Sequence, residues 1–186
     1  FYQRNTNIYD LGSSLCACSL SVQDKIQNIN GNIYAVDSSP SMINECKKNI
    51  DNKKIKLINS DIASINIENS SVIILNLTLQ FIPKERRTRL LKNFFDNLNK
   101  HGVIIITEKV IIDEIDNNKF SKNFHDFFKE NKGYSKEEID RKKIALENVM
   151  MLESEKQYEK RFKAIGCTNF FKWFQCYNFI SWVLVK

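Results

Sequence analysis

Short apolar runs alternate with amphipathic stretches along the first two thirds of the chain. Runs rich in β-branched residues predict strands over residues 7–10, 32–37, 55–59, 72–77 and 103–107. Between them, apolar residues at helical spacing predict helices over residues 14–28, 40–49 and from Pro83 to residue 98. The second helix has the clearest start, because Ser39 is suited to be its N-cap and Pro40 its first residue. The alternation is typical of a parallel sheet with crossover helices.

The last third of the chain has a different pattern. Residues 113–150 are rich in lysine and glutamate and predict two helices separated at Gly133, an insertion suited to act as a lid. A further helix is predicted over residues 155–165, where a glycine ends it. Two aromatic runs, 168–175 and 178–185, predict an antiparallel hairpin at the sheet edge. We therefore expect the 186 residues to form a single α/β domain with a mostly parallel sheet, a C-terminal antiparallel hairpin and a helical insertion.

The charge of the chain adds little to this picture. The formal net charge is +6, but lysine supplies 22 of the 28 basic residues, and no long basic block occurs. A lysine-rich composition typical of an AT-rich genome explains this charge better than nucleic-acid binding does. We therefore expect no direct nucleic-acid partner.

The cysteines indicate the compartment and argue against a metal site. There are five, with no C-x-x-C pair, and only His101 and His125 could complete a zinc site. Free thiols and no metal in a reducing cytoplasm are the expectation. No apolar run approaches membrane-spanning length, and the first residues do not resemble a secretory signal. The chain starts without Met, so we expect its beginning to be trimmed or missing.

Polar residues follow the predicted strands at the edge where an open α/β sheet binds ligands. Gly12 permits a tight turn after the first strand, but Ser13 and Ser14 stand where a dinucleotide-binding loop would have further glycines. A nucleoside without phosphate therefore fits better. Asp37 is placed to accept hydrogen bonds from ribose hydroxyls. Three further residues complete the predicted set. Asp61 and Ile62 are expected beside an adenine ring, and Asn76 is expected beside a sulfonium group.

Several sequence blocks resemble the carboxy-S-adenosyl-L-methionine synthase family of the S-adenosylmethionine-dependent methyltransferase superfamily. The resemblance covers essentially the whole chain. The blocks at the predicted strand ends, which indicate only the superfamily, are YDLGSSL (9–15), AVDSSPSM (35–42), the Asp61-Ile62 pair and LNLTLQF (75–81). The blocks that point to the synthase family are HDFFKENKGYS (125–135), LENVM (146–150) and WFQCYNF (173–179).

The resemblance implies a Rossmann-like class I methyltransferase fold with S-adenosyl-L-methionine as both ligand and substrate. In that family prephenate supplies a carboxyl group to the sulfonium methyl, which gives carboxy-S-adenosyl-L-methionine and phenylpyruvate. A second enzyme transfers the carboxymethyl group to the wobble uridine of tRNA, so RNA would be an indirect partner. The family also implies a homodimer. The family pattern carries over eight residues as ligand contacts, which are Gly12, Ser13, Ser14, Asp37, Ser38, Asp61, Ile62 and Asn76.

The chain departs from the family pattern at two places. The family holds the new carboxylate with an arginine, and the aligned residue here is Lys143. Lys143 is therefore the predicted carboxylate contact. Because lysine is a point charge and arginine a two-pronged donor, we expect lower selectivity for the carboxylate. Arg141 is the alternative contact. The second departure is a missing helix's worth of chain, with a ligand-capping tyrosine, between Asn5 and Thr6. Omission or disorder explains this gap better than a functional deletion.

Other residues have weaker claims, and no catalytic residue is assigned. His125 is a candidate base, but a role in ordering the lid is favoured. Cys16 and Cys18 are expected to pack as small hydrophobes. Five C-terminal aromatics are expected in the core and a dimer surface rather than in a base-stacking platform, namely Trp173, Phe174, Tyr177, Phe179 and Trp182. An ordinary methyltransferase and a non-catalytic nucleoside-binding module stay open as alternatives.

Overall fold

Strands and helices alternate along the chain as far as the fifth strand. The computed structural model describes residues 1–26, 30–50, 54–112, 115–147 and 149–186. In these segments the strands are β1 (Asn7–Leu11), β2 (Ile33–Asp37), β3 (Ile55–Asn59), β4 (Ser70–Asn76), β5 (Leu98–Ile111), β6 (Glu153–Ser154), β7 (Asn169–Cys176) and β8 (Phe179–Val185). The helices are α1 (Ala17–Lys25), α2 (Pro40–Asn49), α3 (Lys84–Asn97), α4 (Ile115–Asn131), α5 (Lys136–Glu147) and α6 (Glu155–Ala164). Two short 3-10 turns follow β3 and β4, at Ile62–Ser64 and Leu79–Phe81.

The strands form one sheet whose order is β3-β2-β1-β4-β5-β8-β7, with β6 paired to β5 beside this path. The first five strands are mutually parallel, whereas β8 is antiparallel to β5 and β7 is antiparallel to β8. This arrangement confirms the predicted α/β fold with a C-terminal antiparallel hairpin at the sheet edge. None of the helices in the described segments combines the length and the apolarity needed to cross a membrane.

Hydrophobic cores cover both faces of the sheet, because successive side chains of a strand point to opposite faces. On one face Tyr9 packs in a cluster with Phe94 of α3 and Trp182 of β8. On the other face Ile8 packs in a cluster that includes Cys46 of α2. Six of the seven residues of β4 are buried, as expected for a central strand covered on both sides.

The first helix is shorter than predicted. It begins at Ala17 rather than residue 14, because Ser14 (φ 48°) and Cys16 (φ 61°) have left-handed backbone conformations that an α-helix cannot contain. Leu15, which we expected on the apolar side of this helix, is 55% exposed and lies outside it. Its predicted end at residue 28 lies outside the described residues.

Other boundaries follow the sequence more closely. Ser39 caps α2 by accepting a hydrogen bond from Met42 N, as predicted. α3 begins directly after Pro83, but Leu98 belongs to β5 and not to the helix. β5 is longer than its apolar run, because it pairs with β8 as far as Lys109 and then with β6. The predicted break between the two insertion helices is present, with the glycine between them at φ +91°.

Candidate functional site

One cleft of about 700 Å³ lies at the carboxyl ends of the parallel strands. It is lined by seven of the nine predicted site residues, which are Gly12, Ser14, Asp37, Ser38, Asp61, Ile62 and Asn76. The other lining residues come from the segment after β4 and from α5 and its continuation, namely Leu77, Thr78, Gln80, Phe81, Ile82, Lys142, Leu146 and Met150. The structure therefore brings four separate strand ends and the helical insertion to one site.

The loop after β1 lies against the segment after β4. Gly12 has φ +78°, and a Cβ atom there would lie 2.5 Å from Thr78 Oγ1. Gly12 N and Ser13 N both donate to the carbonyl of Val36, at 2.8 and 2.9 Å. Both the conformation and the close approach require glycine at this position. The predicted turn is present, whereas the ligand contact of Gly12 stays a prediction.

Asp37 links the first loop to the start of α2. Its Oδ2 accepts a hydrogen bond from Ser14 N at 2.8 Å, and its Oδ1 accepts one from Ser39 N at 2.9 Å. Each carboxylate oxygen has two lone-pair directions, so both oxygens can also accept a bond from a ligand hydroxyl. These backbone donors orient the carboxylate before any ligand arrives.

Asp61 and Asn76 are exposed at the ends of β3 and β4. Asp61 Oδ1 accepts a hydrogen bond from Ala63 N at 2.9 Å and so caps the turn that follows β3. The neighbouring Ile62 is buried, with 5% of its surface exposed, and presents an apolar edge to the cleft. A carboxylate beside an apolar edge is suited to a purine with an exocyclic amino group.

Two predicted site residues do not line the cleft. Ser13 belongs to the first loop but is buried, with 6% of its surface exposed. The Nζ of Lys143 lies 2.6 Å from Asp126 Oδ2 and 3.5 Å from Asp140 Oδ1, so this lysine joins α5 to α4. Its neighbour Lys142 lines the cleft instead.

Sequence reasoning missed the residues that shape the segment after β4. Leu77 adopts φ 57°, an unusual conformation for a branched side chain, and Gln80 is buried in the cleft wall. The Thr78 hydroxyl donates to the Leu11 carbonyl at 2.9 Å, which ties the segment to the first loop. All three residues belong to the LNLTLQF block, but only Asn76 of that block had been assigned to the ligand.

Glu108 on β5 binds the main chain of the segment after β4. Its carboxylate accepts three successive backbone hydrogen bonds, from Thr78 N at 3.0 Å, Leu79 N at 2.7 Å and Gln80 N at 3.1 Å. Burial raises the pKa of Glu108 to about 7, although the three N–H groups act in the opposite direction. A carboxylate that binds three N–H groups at the start of a turn fixes the position of that turn.

A buried ionic network supports the cleft wall. Glu153 forms a salt bridge with Arg87 of α3 and accepts two hydrogen bonds from Arg161 of α6, at 2.8 and 2.7 Å. Burial alone would raise the pKa of Glu153, but Arg161 and Arg87 outweigh it and hold the pKa below its usual value. Arg87 also donates to the carbonyls of Ile82, Gln80 and Met151. The network therefore connects α3 and α6 to the residues after β4.

His125 and the cysteines are not among the residues that line the cleft, although Cys46 Sγ donates to the carbonyl of the lining residue Ser14 at 3.3 Å. His125 packs edge-on against Phe179. Burial, with the nearby charges of Lys129 and Lys109, lowers its pKa to about 4. Cys16 is buried in the core, its Sγ lies 2.9 Å from Cys46 Sγ, and burial raises its pKa to about 12. In the part of the chain that the structure describes, no group of three or more metal-ligating side chains occurs.

Comparison with known proteins defines the class to which this fold and cleft belong. A family model described as a methyltransferase domain matches residues 8–102. The structure of human N-acetylserotonin methyltransferase in complex with S-adenosylmethionine superposes with a TM-score of 0.69 at 13% identity, over 97% of this chain and 47% of that one. The fold is that of a class I S-adenosylmethionine-dependent methyltransferase.

Sequence relatives narrow this class. A carboxy-S-adenosyl-L-methionine synthase from Shewanella oneidensis is 40% identical over 190 aligned positions, which cover 100% of this chain and 78% of the relative. The synthase from Vibrio campbellii is 39% identical over the same shares. The chain belongs to the carboxy-S-adenosyl-L-methionine synthase family.

Proposed function

We propose that this protein synthesises carboxy-S-adenosyl-L-methionine from S-adenosyl-L-methionine and prephenate and releases phenylpyruvate. One observation carries the proposal. A single cleft combines two carboxylates, Asp37 and Asp61, with one lysine, Lys142, in a chain that matches synthases over its full length. The carboxylates suit the hydroxyl and amino donors of a nucleoside, and the lysine suits the carboxylate that distinguishes the product from its precursor.

The nucleoside would lie across the strand ends. Asp37 accepts from the ribose hydroxyls, with Ser38 beside it, and Asp61 accepts from the adenine amino group against Ile62. The loop from Gly12 to Ser14 receives the amino-acid portion, and Asn76 faces the sulfonium centre. The carboxylate of Asp37 is already oriented by two backbone donors. This arrangement reduces the reorganisation needed when the ligand binds.

The proposed reaction joins the methyl carbon of the sulfonium to a carboxyl carbon of prephenate. The positive sulfur acidifies the methyl group, so a proton leaves and an ylide forms. Prephenate loses carbon dioxide and its ring hydroxide, and the ring becomes aromatic as phenylpyruvate forms. The ylide carbon attacks the carbon dioxide, and the released proton and hydroxide give water.

Exclusion of water is the main demand that this chemistry makes on the protein, because both the ylide and the carbon dioxide must be kept from solvent. The α5 segment supports this requirement, since Lys142, Leu146 and Met150 reach the cleft from the helical insertion. We therefore assign the insertion the role of a lid.

Mass spectrometry of the reaction products tests the proposal. The full-length protein is incubated with methyl-¹³C-labelled S-adenosyl-L-methionine, with and without prephenate. A labelled carboxylated adduct that forms only with prephenate supports the synthase activity. Transfer of the labelled methyl group to an acceptor would support an ordinary methyltransferase. Binding without turnover would support a non-catalytic nucleoside-binding module. The Asp37→Asn variant serves as the control with weakened nucleoside binding.

The same proposal includes a location and partners. The product would serve an enzyme that carboxymethylates the wobble uridine of tRNA, so this chain needs no direct contact with RNA. The five free cysteines are compatible with a reducing cytoplasm. A homodimer would cover the exposed aromatics of the edge strand β7, since Trp173 and Phe174 are 59% and 52% exposed. Light scattering on wild type and Phe174→Asp tests this, and a monomeric wild type would contradict it.

A further inference from the structure

Gln80 is the most unusual polar residue in the wall of the cleft. Only 4% of its surface is exposed, and its side-chain oxygen Oε1 is buried without a hydrogen-bond partner among the described residues. A buried carbonyl that lacks a partner is destabilising, and such atoms are rare in native proteins. The unpaired oxygen is therefore either a structural defect or a hydrogen-bond acceptor for a ligand that binds in the cleft.

The orientation of the Gln80 amide is set by its neighbours. Its Nε2 donates to the Leu77 carbonyl at 3.5 Å, so the oxygen is the free end of the amide. The main chain of Gln80 is held on both sides, because its N–H donates to Glu108 Oε2 at 3.1 Å and its carbonyl accepts from Met151 N at 2.8 Å. A side chain on so firmly held a backbone is preorganised to accept one hydrogen bond.

The position of Gln80 indicates which donor it would meet. Its segment is tied to the first loop through the Thr78 hydroxyl and the Leu11 carbonyl, and Thr78 lies directly against Gly12. This is the loop assigned to the amino-acid portion of the ligand. The ribose hydroxyls and the adenine amino group already have acceptors in Asp37 and Asp61. The remaining strong donor of the ligand is its α-ammonium group.

We propose that Gln80 Oε1 accepts a hydrogen bond from the α-ammonium group of the bound sulfonium nucleoside. The inference rests on the proposed function insofar as it requires an S-adenosyl amino acid in the cleft. It makes Gln80 a recognition residue that distinguishes a complete S-adenosyl amino acid from a nucleoside that lacks the amino-acid portion. The free protein is then destabilised by the unpaired oxygen, and the ligand relieves this cost.

Two ligands and two variants test the inference. Gln80→Met keeps the length of the side chain and removes both amide groups. The matched control is Tyr158→Phe, because the Tyr158 hydroxyl is also buried, has no partner in the described segments of the chain and does not line the cleft. Calorimetry measures the binding of S-adenosylhomocysteine, which has the ammonium group, and of 5′-methylthioadenosine, which lacks the whole amino-acid portion. Thermal unfolding measures the stability of each free protein.

The inference predicts effects of opposite sign in Gln80→Met. Its affinity for S-adenosylhomocysteine falls at least about tenfold, as expected for loss of a hydrogen bond to a charged group. Its affinity for 5′-methylthioadenosine is unchanged, and its Tm without ligand rises by about 2–4 °C. Tyr158→Phe binds both ligands as wild type does.

Three results would overturn the inference. A lower Tm in Gln80→Met would show that the residue is structural, and equal weakening of both ligands would place the contact on the nucleoside. Unchanged binding of S-adenosylhomocysteine would remove Gln80 from ligand recognition. The proposed function fails on a separate readout, which is the absence of a carboxylated product that depends on prephenate, whereas the inference is read from the binding of the two ligands to wild type and Gln80→Met.

Discussion

Asp126 of α4 holds the Nζ of Lys143 of α5 at 2.6 Å, while the preceding residue, Lys142, lines the cleft. Successive residues of an α-helix point about 100° apart, so the two lysines cannot serve the same site equally. The sequence predicted Lys143 as the carboxylate contact by alignment with a family arginine. In the structure Lys143 bridges the two insertion helices and Lys142 is the lysine that lines the cleft, whereas the carboxylate contact itself stays a prediction.

The paired variants Lys142→Ala and Lys143→Ala test this assignment. We expect Lys142→Ala to reduce the preference for carboxy-S-adenosyl-L-methionine over S-adenosyl-L-methionine by about tenfold, because it removes a charge-assisted hydrogen bond. Lys143→Ala should leave the preference unchanged. Competition binding with the two ligands measures it. The opposite result, with the preference lost only in Lys143→Ala, would restore the prediction made from the sequence.

The conformation of Gly12 leads to a second prediction. Gly12→Ala forces a side chain onto Thr78 Oγ1, whereas Gly133, which also has a positive φ, has no heavy atom of the described residues within 4 Å of an added Cβ. Both substitutions should cost about 1–2 kcal/mol of stability for the left-handed backbone. Gly12→Ala should cost a further 1–3 kcal/mol, roughly, for the overlap. Urea unfolding measures both values.

Ligand binding separates the two glycine variants further. Displacement of Thr78 should disturb the first loop, so we expect Gly12→Ala to lose measurable affinity for S-adenosylhomocysteine and Gly133→Ala to keep it. Equal stability and equal affinity in the two variants would show that the contact between Gly12 and Thr78 has no consequence.

A local sequence pattern can place residues at the cleft, but it cannot identify partners that are distant along the chain. Asp37 and Asp61 were assigned to the cleft because each lies at or just after the end of a predicted strand, and parallel strands end at one edge of the sheet. Glu108 and Arg87 were missed, because Glu108 binds residues 28 to 30 positions away and two partners of Arg87, Met151 and Glu153, lie 64 and 66 positions away along the chain. Local periodicity contains no information about such pairs. The sequence could not show which of Lys142 and Lys143 faces the cleft, because the rotation of α5 about its axis depends on packing.

The buried carboxyl group of Glu108 predicts a pH dependence of stability. Its pKa in the folded protein is about 7, above the ordinary value of 4.5, so the folded state retains the proton that the unfolded state releases. The contribution of Glu108 to stability is therefore fully present below about pH 4.5 and is lost as the pH rises toward 7, by up to about 1.4 kcal/mol per pH unit. Glu108→Gln should remove this slope, whereas Glu85→Gln, on the exposed face of α3, should keep it. Identical slopes in wild type and Glu108→Gln would contradict the assignment.

The contribution of His125 to stability should depend on pH in the opposite direction. Its pKa is lowered from 6.5 to about 4, chiefly by burial, so the folded state disfavours the proton. Its contribution is present above about pH 6.5 and is lost as the pH falls toward 4. We expect His125→Gln to be less sensitive than wild type to acid in this range. Chemical unfolding at several pH values measures this, and a variant that loses stability on acidification as steeply as wild type would rule out the effect.

Arg87 and Arg89 allow a matched test of the buried network. Arg87 is fully buried and bonds to Glu153 and to three carbonyls, whereas Arg89, two residues later on α3, is exposed. Arg87→Met should destabilise the protein by about 3 kcal/mol, at the lower end for a broken buried ion pair, because Arg161 still neutralises Glu153. Arg89→Met should change stability by less than about 0.5 kcal/mol.

Because Arg87 also binds the Gln80 carbonyl, Arg87→Met should weaken S-adenosylhomocysteine binding as well. Unfolding and calorimetry on the two variants measure these effects, and equal stabilities would mean that the network does not support the cleft.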